Sequence, residues 1–191
     1  MEERARRIVD TAIELAEMGG FEAVRLRDVA ERAEVALGTV YKRFRSKEDI
    51  LIAALEREME TFDLMIRQYP IPGEHPVDRV AQLFALATTA LCGKPNFARA
   101  VLKALASGET ALAERIMRFH TQVGTLINLT IAGEGEPPPE DQRIAFLLQQ
   151  IWFGQLVGWM GGLHGEDVIP TQMRFAAGLL LAHVPSRQED R

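Results

Sequence analysis

Apolar residues recur every three or four positions along most of the chain, which is the period of helices that bury one side. The period is clearest in residues 26–44, where two short apolar stripes follow each other. The first stripe is Leu26, Val29, Ala30 and Ala33, and the second is Leu37, Val40, Tyr41 and Phe44. The three residues between them, Glu34-Val35-Ala36, leave room only for a tight turn. The pattern therefore predicts a helix-turn-helix.

The side of the second helix opposite its apolar stripe carries small and cationic residues. Its members are Gly38, Thr39, Lys42 and Arg43, and positions 42–47 contain four cations and no acid. Small residues allow a helix to approach another surface closely, and cations attract a polyanion. The helix therefore suits the major groove of double-stranded DNA. The alternative is that the four cations form an ordinary solvated face.

The helical period continues to the C-terminus, and no strand pattern interrupts it. A first helix is predicted to end at Gly19-Gly20. Further helices are predicted over Ser46–Tyr69, Pro76–Leu91, Pro95–Ala106, Glu109–Ala132, Glu140–Leu163 and Pro170–Val184. The predicted fold class is all-α with about nine helices. We predict a three-helix helix-turn-helix domain over residues 1–47 and a C-terminal helical domain over residues 48–191.

The charge distribution removes an objection to DNA binding. The chain is 47% hydrophobic and 26% charged, as expected of a globular protein, but its net charge is −5. Residues 1–50 hold ten Lys or Arg and eleven Asp or Glu, whereas residues 51–191 hold twelve and sixteen. Most of the excess acid therefore lies outside the candidate motif. An acidic remainder limits nonspecific adhesion, because phosphate contacts supply the affinity that does not depend on sequence.

Residues from about 4 to 55 resemble the DNA-binding domain of the TetR family of bacterial transcriptional regulators. The resemblance lies in VRLRDVAERAEVALGTVYKRFRSKEDIL and in Gly20-Phe21 ahead of it. It implies a regulator that binds a palindromic DNA operator as a homodimer, most often as a repressor. Carried over to this sequence, it implies base contacts from Leu37, Gly38 and Thr39 and phosphate contacts from Tyr41, Lys42 and Lys47. The DNA-contact set that we predict also includes Arg25, Arg27 and Arg43.

Three positions depart from the family pattern. Glu34 stands in the turn where the family has glycine, so it must adopt a backbone conformation that glycine reaches more cheaply. Ala36 cannot supply the side-chain oxygen that caps the recognition helix, and Arg25 replaces a hydroxyl ahead of Leu26. After the motif, Ser46 and Asp49 have the spacing of a capping box for the next helix.

Three glycines in the C-terminal region recur every four residues. They are Gly154, Gly158 and Gly162, and glycine inside a helix costs about 1 kcal/mol relative to alanine. A smooth groove that lets another helix approach closely explains them. The resemblance implies dimerisation through the last helix pair, so we predict that the glycines lie in a subunit interface. The alternative is that they pack against the last helix of the same chain.

The C-terminal helices also carry apolar and aromatic residues that could surround a small apolar effector. The candidates are Phe84, Leu91, Phe97, Met117, His120, Val123, Phe146, Trp152 and Leu156. The alternative for each is an ordinary core position, although cavities between bundle helices commonly bind ligands. The region resembles the KstR branch of the family through Glu140-Asp141-Gln142, Trp152 and the final helix. That resemblance implies an acyl or steroid-type CoA ester as the effector.

The remaining chemistry of the chain predicts no catalysis. The single cysteine, Cys92, excludes an internal disulfide framework and fits a reducing cytoplasm. The histidines are His75, His120, His164 and His183, and none has the spacing of a zinc or catalytic site. We expect no enzyme, metal, cofactor or membrane association, and no signal peptide. Two other interpretations stay open: a helical interaction module that does not bind DNA, and a helical enzyme.

Overall fold

The computed structural model describes residues 2–133 and 139–182, with the backbone alone for Glu2 and 139–141. Within these residues all regular structure is helical, as predicted. The helices are α1 Glu2–Ala23, α2 Leu26–Arg32, α3 Leu37–Tyr41, α4 Lys47–Gln68, α5 Pro76–Cys92, α6 Pro95–Leu105, α7 Ala113–Ala132, α8 Pro139–Met160 and α9 Val168–Leu180. A single 3₁₀ turn, Thr110–Leu112, precedes α7.

The chain divides into two compact units. The first contains Met1–Thr61 and Leu91–Arg118, and the second contains Phe62–Ala90 and Phe119–Arg191. Helices α4, α5 and α7 each contribute residues to both units. The boundary expected between residues 47 and 48 concerns where the DNA-binding part ends, and it stays a prediction.

In the first unit, α1 packs against α6 and α2, and α2 packs against α3. Helix α1 buries Ile8, Ala12 and Ala16 completely, because the four-residue spacing places all three on one side. The helix breaks at Gly19-Gly20, where Gly20 has φ 66°, and one more helical turn follows to Ala23. The predicted end of the first helix is therefore a kink.

Five of the eight residues in the two stripes of the helix-turn-helix are buried, Leu26 and Leu37 are half-buried, and Tyr41 is exposed. The buried members include Val29, Ala30, Ala33, Val40 and Phe44. Tyr41 was also assigned to the stripe of the second helix, but its side chain is 58% exposed. It stands next to Val40 in sequence, about 100° around the helix. The apolar stripe of α3 is therefore narrower than the sequence suggested.

In the second unit, α8 packs against α9. The fully buried side chains of this unit include Phe84, Ile127, Ile131, Leu148, Leu156 and Ile169. Helix ends differ from the prediction by a few residues. Helix α7 begins at Ala113 because a 3₁₀ turn takes up the preceding residues, and α9 begins two residues before Pro170. The predicted break at 133–139 and the predicted end at Val184 lie largely outside the described residues, as does His183.

Candidate nucleic-acid interface

The turn between α2 and α3 is closed by two backbone hydrogen bonds. The Val35 N–H donates to the Ala30 carbonyl at 3.0 Å, and the Glu34 N–H donates to the Glu31 carbonyl at 3.1 Å. This pair of bonds ends a helix through a residue in the left-handed conformation. That residue is Glu34, with φ 53°. The expected strain at Glu34 is confirmed, and it costs about 1 kcal/mol relative to glycine.

Helix α3 begins without a side-chain cap. Its N-cap residue is Ala36, and no side-chain oxygen accepts a hydrogen bond there. The N-cap of α2, Arg25, likewise makes no side-chain cap bond. Both departures from the family pattern therefore have the structural consequence expected of them. A missing cap costs about 1 kcal/mol, so neither short helix is stabilised by a side chain at its N-terminus.

The outward side of α3 presents a glycine beside a tyrosine and two cations. Gly38 is exposed, and a Cβ added there would meet no atom within 4 Å. Tyr41, Lys42 and Arg43 are exposed beside it. Inside this chain nothing requires a glycine at position 38, where it weakens the helix. A surface without side-chain bulk at its centre and with cations at its edge fits a groove lined by phosphates.

The other predicted DNA contacts differ in accessibility. Arg25 and Arg27 are exposed, whereas Leu37 and Thr39 are half-buried at the start of α3. Lys47 is held within the first unit. Its Nζ lies 3.0 Å from Glu22 Oε2 and 3.9 Å from the centre of the Phe21 ring. A phosphate would therefore have to compete with Glu22 for this ammonium group.

Glu22 was not identified from the sequence. Its second oxygen accepts a hydrogen bond from Lys103 at 2.9 Å, so one carboxylate bridges two ammonium groups. The hydrogen bond from Lys103, followed by the one from Lys47, lowers the pKa of this exposed carboxyl. Lys47 and Glu22 are 25 residues apart. No local spacing could have indicated the pair.

The capping box predicted at the start of α4 is present in altered form. The Asp49 N–H donates to Ser46 Oγ at 3.2 Å, as the motif requires. The Asp49 carboxylate, however, accepts from the Arg45 N–H at 2.9 Å, one residue before the N-cap. Together these two bonds hold the link between α3 and α4.

Arg115, near the start of α7, contacts two carboxylates of α4 and the Phe44 ring in the link. Its Nε lies 3.4 Å from Asp49 Oδ1, its Nη1 lies 3.4 Å from Glu56 Oε2, and its guanidinium carbon lies 5.9 Å from the centre of the Phe44 ring. Burial raises the pKa of Glu56, and the positive charge of Arg115 opposes that rise. The sequence offered no sign of Arg115, which is 66 residues from Asp49.

The predicted pocket residues are divided between the two units. Leu91, Phe97 and Met117 belong to the first unit, and the other six belong to the second. Phe84, Phe97, Val123 and Leu156 are buried; Leu91, His120 and Trp152 are half-buried; Met117 and Phe146 are exposed. In the second unit, Trp152 Nε1 donates to Thr88 Oγ1 at 2.9 Å, and its ring lies 5.7 Å from that of Phe84.

A cavity of about 280 Å³ opens elsewhere in the second unit, and none of the nine predicted pocket residues lines it. Its walls are Ile66, Arg67, Pro70, Ile71, Arg79, Leu126, Leu129, Thr130 and Gly133. The buried Arg79 donates from Nε and Nη2 to the carbonyls of Thr130 and Ile131 at the end of α7. This arginine was also missed from the sequence. Cations at a helix C-terminus stabilise its unpaired carbonyls.

Helices α8 and α9 both carry exposed large apolar side chains. On α9, Phe175 and Leu179 are 66% and 65% exposed and are one turn apart. On α8, Phe146, Leu147 and Val157 are exposed as well. Exposed apolar surface of this kind is typical of a contact with another protein chain. We call these five residues and Gly154 the α8–α9 face.

The three glycines of this region have three different environments. Gly154 is exposed, and an added Cβ would meet nothing within 4 Å. At Gly158 an added Cβ would lie 2.8 Å from Nε2 of His164. Gly162 lies beyond the end of α8 with φ 78°, where the Leu163 N–H donates to the Gly158 carbonyl at 2.9 Å. The chain's own His164 therefore occupies the space at Gly158, whereas Gly154 and Gly162 are both exposed and an added Cβ at either would meet nothing within 4 Å. That the three glycines lie in a subunit interface stays a prediction.

No group of three or more His, Cys, Asp or Glu side chains within 2–133 and 139–182 lies close enough together to hold a metal ion. Among the same residues, no helix combines the length and the apolar character needed to cross a membrane.

Comparisons with known proteins match both parts of the chain. Residues 8–54 match the model of bacterial regulatory proteins of the tetR family, and residues 73–180 match the tetracyclin repressor-like C-terminal domain. The HTH-type transcriptional repressor KstR of Rhodococcus jostii (strain RHA1) is 32% identical over 190 residues, covering 98% of this chain and 87% of the relative.

Two crystal structures are also similar to the chain. A TetR transcriptional regulator from Rhodococcus sp. RHA1 shares 29% identity over 96% of this chain and 97% of its own, with a TM-score of 0.83. The transcriptional regulator FadR from Bacillus subtilis, in complex with stearoyl-CoA, shares 19% identity over 94% and 99% of the two chains. Its TM-score is 0.66, so at this identity the likeness shows the fold alone.

Proposed function

The chain belongs to the TetR family of bacterial DNA-binding transcriptional regulators, and from that premise we propose that it is a homodimeric repressor released by a CoA ester. In this proposal the protein acts in the cytoplasm and binds a palindromic operator. The observation that carries the proposal is the outward side of α3, where the exposed Gly38 serves no purpose inside the chain. An interaction module with merely solubilising cations leaves that glycine unexplained.

The proposed DNA contacts follow from the exposure of the side chains. Leu37, Gly38 and Thr39 at the start of α3 approach base edges, and Tyr41 and Lys42 bind phosphates. The exposed Arg25, Arg27 and Arg43 add cations to the same motif. Lys47 joins them when a phosphate replaces Glu22. Base contacts supply specificity, and phosphate contacts supply position and most of the salt-dependent affinity.

The proposed dimer contact is the α8–α9 face. Its apolar side chains are exposed in the single chain, and the open surface at Gly154 allows a partner helix to approach closely. A two-fold dimer places two copies of α3 in successive major grooves when their half-sites are about 34–36 Å apart. The palindrome of the operator mirrors that symmetry.

The proposed effector is an acyl or steroid-type CoA ester. This class is what the resemblance to KstR implies, and stearoyl-CoA is bound by FadR, a regulator of the same fold. Helix α7 offers a route for its effect. It begins with Arg115, which contacts Asp49 and Glu56 of α4, and it continues into the second unit. We consider two states of the protein that differ in the position of α7. A ligand can change DNA affinity only to the extent that it binds one of these states more tightly than the other.

The proposal is tested by selecting bound fragments from genomic DNA and titrating the enriched site by fluorescence anisotropy at several salt concentrations. We expect a palindrome with half-sites one helical turn apart. Lys42→Ala should weaken binding to all sequences and reduce the salt slope by roughly one, and Tyr41→Phe should weaken binding without changing the slope. Arg67→Ala, which removes a cation paired with Asp63 in the second unit, is the control. No enriched fragment, or equal salt slopes for Lys42→Ala and Arg67→Ala, would refute DNA binding through α3.

A further inference from the structure

Four residues from three helices of the first unit meet around the carboxylate of Glu22. Phe21 and Glu22 lie in the helical turn that follows the kink of α1. Lys47 is the first residue of α4, and Lys103 lies in the last turn of α6. We call these four residues the Glu22 cluster. Lys47 belongs to the predicted DNA contacts, whereas Lys103 does not.

The two ammonium groups of the cluster share one carboxylate and one aromatic ring. Lys47 Nζ lies 3.0 Å from Glu22 Oε2, and Lys103 Nζ lies 2.9 Å from Glu22 Oε1. The same two Nζ atoms lie 3.9 Å and 4.2 Å from the centre of the Phe21 ring. An aromatic face attracts a cation as a carboxylate does. The two lysines therefore compete for the same partners.

All three charged side chains of the cluster reach solvent. The side chain of Glu22 is 72% exposed, that of Lys103 is 56% exposed and that of Lys47 is 29% exposed. An exposed ion pair contributes little to stability, because water and salt weaken the attraction between its charges. The bond between Glu22 and Lys47 is therefore weak enough for a DNA phosphate to replace it.

The release of Lys47 does not leave Glu22 without a partner. Lys103 still donates to the other oxygen of the carboxylate. The two ammonium groups also repel each other while they share that carboxylate, and the departure of Lys47 removes the repulsion. Moving Lys47 from Glu22 to a phosphate therefore costs less than breaking an isolated ion pair of the same geometry.

We propose that Glu22 and Lys103 are positioning residues that set the affinity for DNA through Lys47, without contacting DNA themselves. Glu22 binds the Lys47 ammonium group in the free protein, and breaking this bond keeps the affinity for the operator below its maximum. Lys103 acts in the opposite direction, because it competes with Lys47 for Glu22. A cation of α6 that does not touch DNA thus strengthens DNA binding. The inference rests on the proposed function, in which Lys47 binds a phosphate.

The first test is a double-mutant cycle between Glu22 and Lys47, measured by anisotropy titrations of the selected operator. Glu22→Gln keeps the shape of the side chain and removes its charge. It should raise the affinity about twofold to fivefold for each DNA-binding domain, which is the range that an exposed ion pair contributes. The affinity of the proposed dimer should rise by the square of that factor, because two clusters meet one operator.

The same change is then made without the lysine. In a Lys47→Met background the gain from Glu22→Gln should fall to no more than that of the control Glu34→Gln, because no ammonium group is left to be freed. Glu34→Gln removes an equal charge from the exposed turn ahead of α3. Its effect measures the general repulsion between a carboxylate and DNA, and it should be equal in both backgrounds.

The second test concerns Lys103. Lys103→Met should weaken operator binding about twofold for each domain, because Glu22 then has Lys47 as its remaining lysine partner in the cluster. The dependence of the affinity on salt should keep its slope, since Lys103 neutralises no phosphate. In a Glu22→Gln background Lys103→Met should have no effect. Thermal unfolding without DNA checks that each variant is folded.

Three outcomes at the cluster would overturn the inference. If Glu22→Gln leaves the affinity unchanged or lowers it, Glu22 is only a structural link between helices. If its gain is equal with and without Lys47, the cause is general charge repulsion. If Lys103→Met has no effect, or weakens binding equally in the Glu22→Gln background, Lys103 does not act through Glu22.

Two further results separate this inference from the proposed function. If the wild-type protein binds no DNA fragment, the proposed function fails and the inference fails with it. If the wild-type protein binds its operator and Lys47→Met binds it as tightly, the inference alone fails, because the phosphate contact of Lys47 is then absent.

Discussion

The outward side of α3 and the α8–α9 face are both exposed helix surfaces, but their chemistry is opposite. Around Gly38 the surface is small, polar and cationic, whereas the α8–α9 face carries phenylalanine and leucine. A hydrated polyanion is bound by cations and close backbone approach. Another protein chain is bound by removing apolar area from water. The difference therefore supports a different proposed partner for each surface, DNA for the outward side of α3 and a second protein chain for the α8–α9 face.

The two surfaces also differ in how they are formed. The turn ahead of α3 is closed by backbone hydrogen bonds between residues at most five apart. The α8–α9 face depends on the packing of two separate helices, α8 and α9, against each other. A surface built from local bonds can be read from a short stretch of sequence. One built from packed elements requires the structure.

The largest expected effect comes from placing a charge on the α8–α9 face. Phe175→Glu should convert the dimer to monomers in sedimentation equilibrium, because the carboxylate would lose its hydration in an apolar contact. Operator affinity should fall about 10²-fold or more, because linking two DNA-binding domains raises the affinity about 10²–10⁴-fold over that of one. Thr89→Glu, an exposed position of α5 outside the face, is the control. A dimer that persists in Phe175→Glu would contradict the assignment of this face.

An intermediate effect is expected at Gly38. Gly38→Ala should weaken operator binding about tenfold or more, as a lost base-edge contact does. The free energy of unfolding should stay the same or rise by up to about 1 kcal/mol, because alanine favours the helix and its Cβ meets nothing. Anisotropy titrations and denaturant unfolding measure the two quantities. A loss of stability together with affinity would mean that Gly38 serves the fold after all.

The smallest effect is expected at the N-cap of α3. Ala36→Ser supplies the missing side-chain acceptor and should raise the free energy of unfolding by about 1 kcal/mol. For a chain of this size the melting temperature should rise by about 2–4 °C. The matched variant is Ala36→Val, which adds bulk without a hydroxyl and should give no such rise. Equal melting temperatures for Ala36→Ser and wild type would show that water already satisfies these N–H groups.

Much of the helical architecture and the candidate DNA surface could be predicted because both depend on short spacings. The buried residues of α2 and α3 follow from spacings of three and four residues, whereas the left-handed Glu34 and the uncapped Ala36 were expected from the resemblance to the TetR family. The helix ends were less accurate, as at Ala113 and Val168, because a 3₁₀ turn or an additional helical turn costs little. Tyr41 was placed on the wrong side of its helix because an aromatic residue fits an apolar stripe and a phosphate contact equally well.

The sequence by itself determined that the chain is helical, where its DNA-reading turn lies and which small and cationic residues surround Gly38. Only the tertiary structure decided that Lys47 is held by Glu22, that Arg115 joins α7 to the start of α4, and that Gly154 and Gly158 meet different surroundings. It also decided that Lys103 shares the Glu22 carboxylate with Lys47. The physical reason is that burial and pairing arise between elements far apart in the chain. No periodic pattern in the local sequence therefore indicates them.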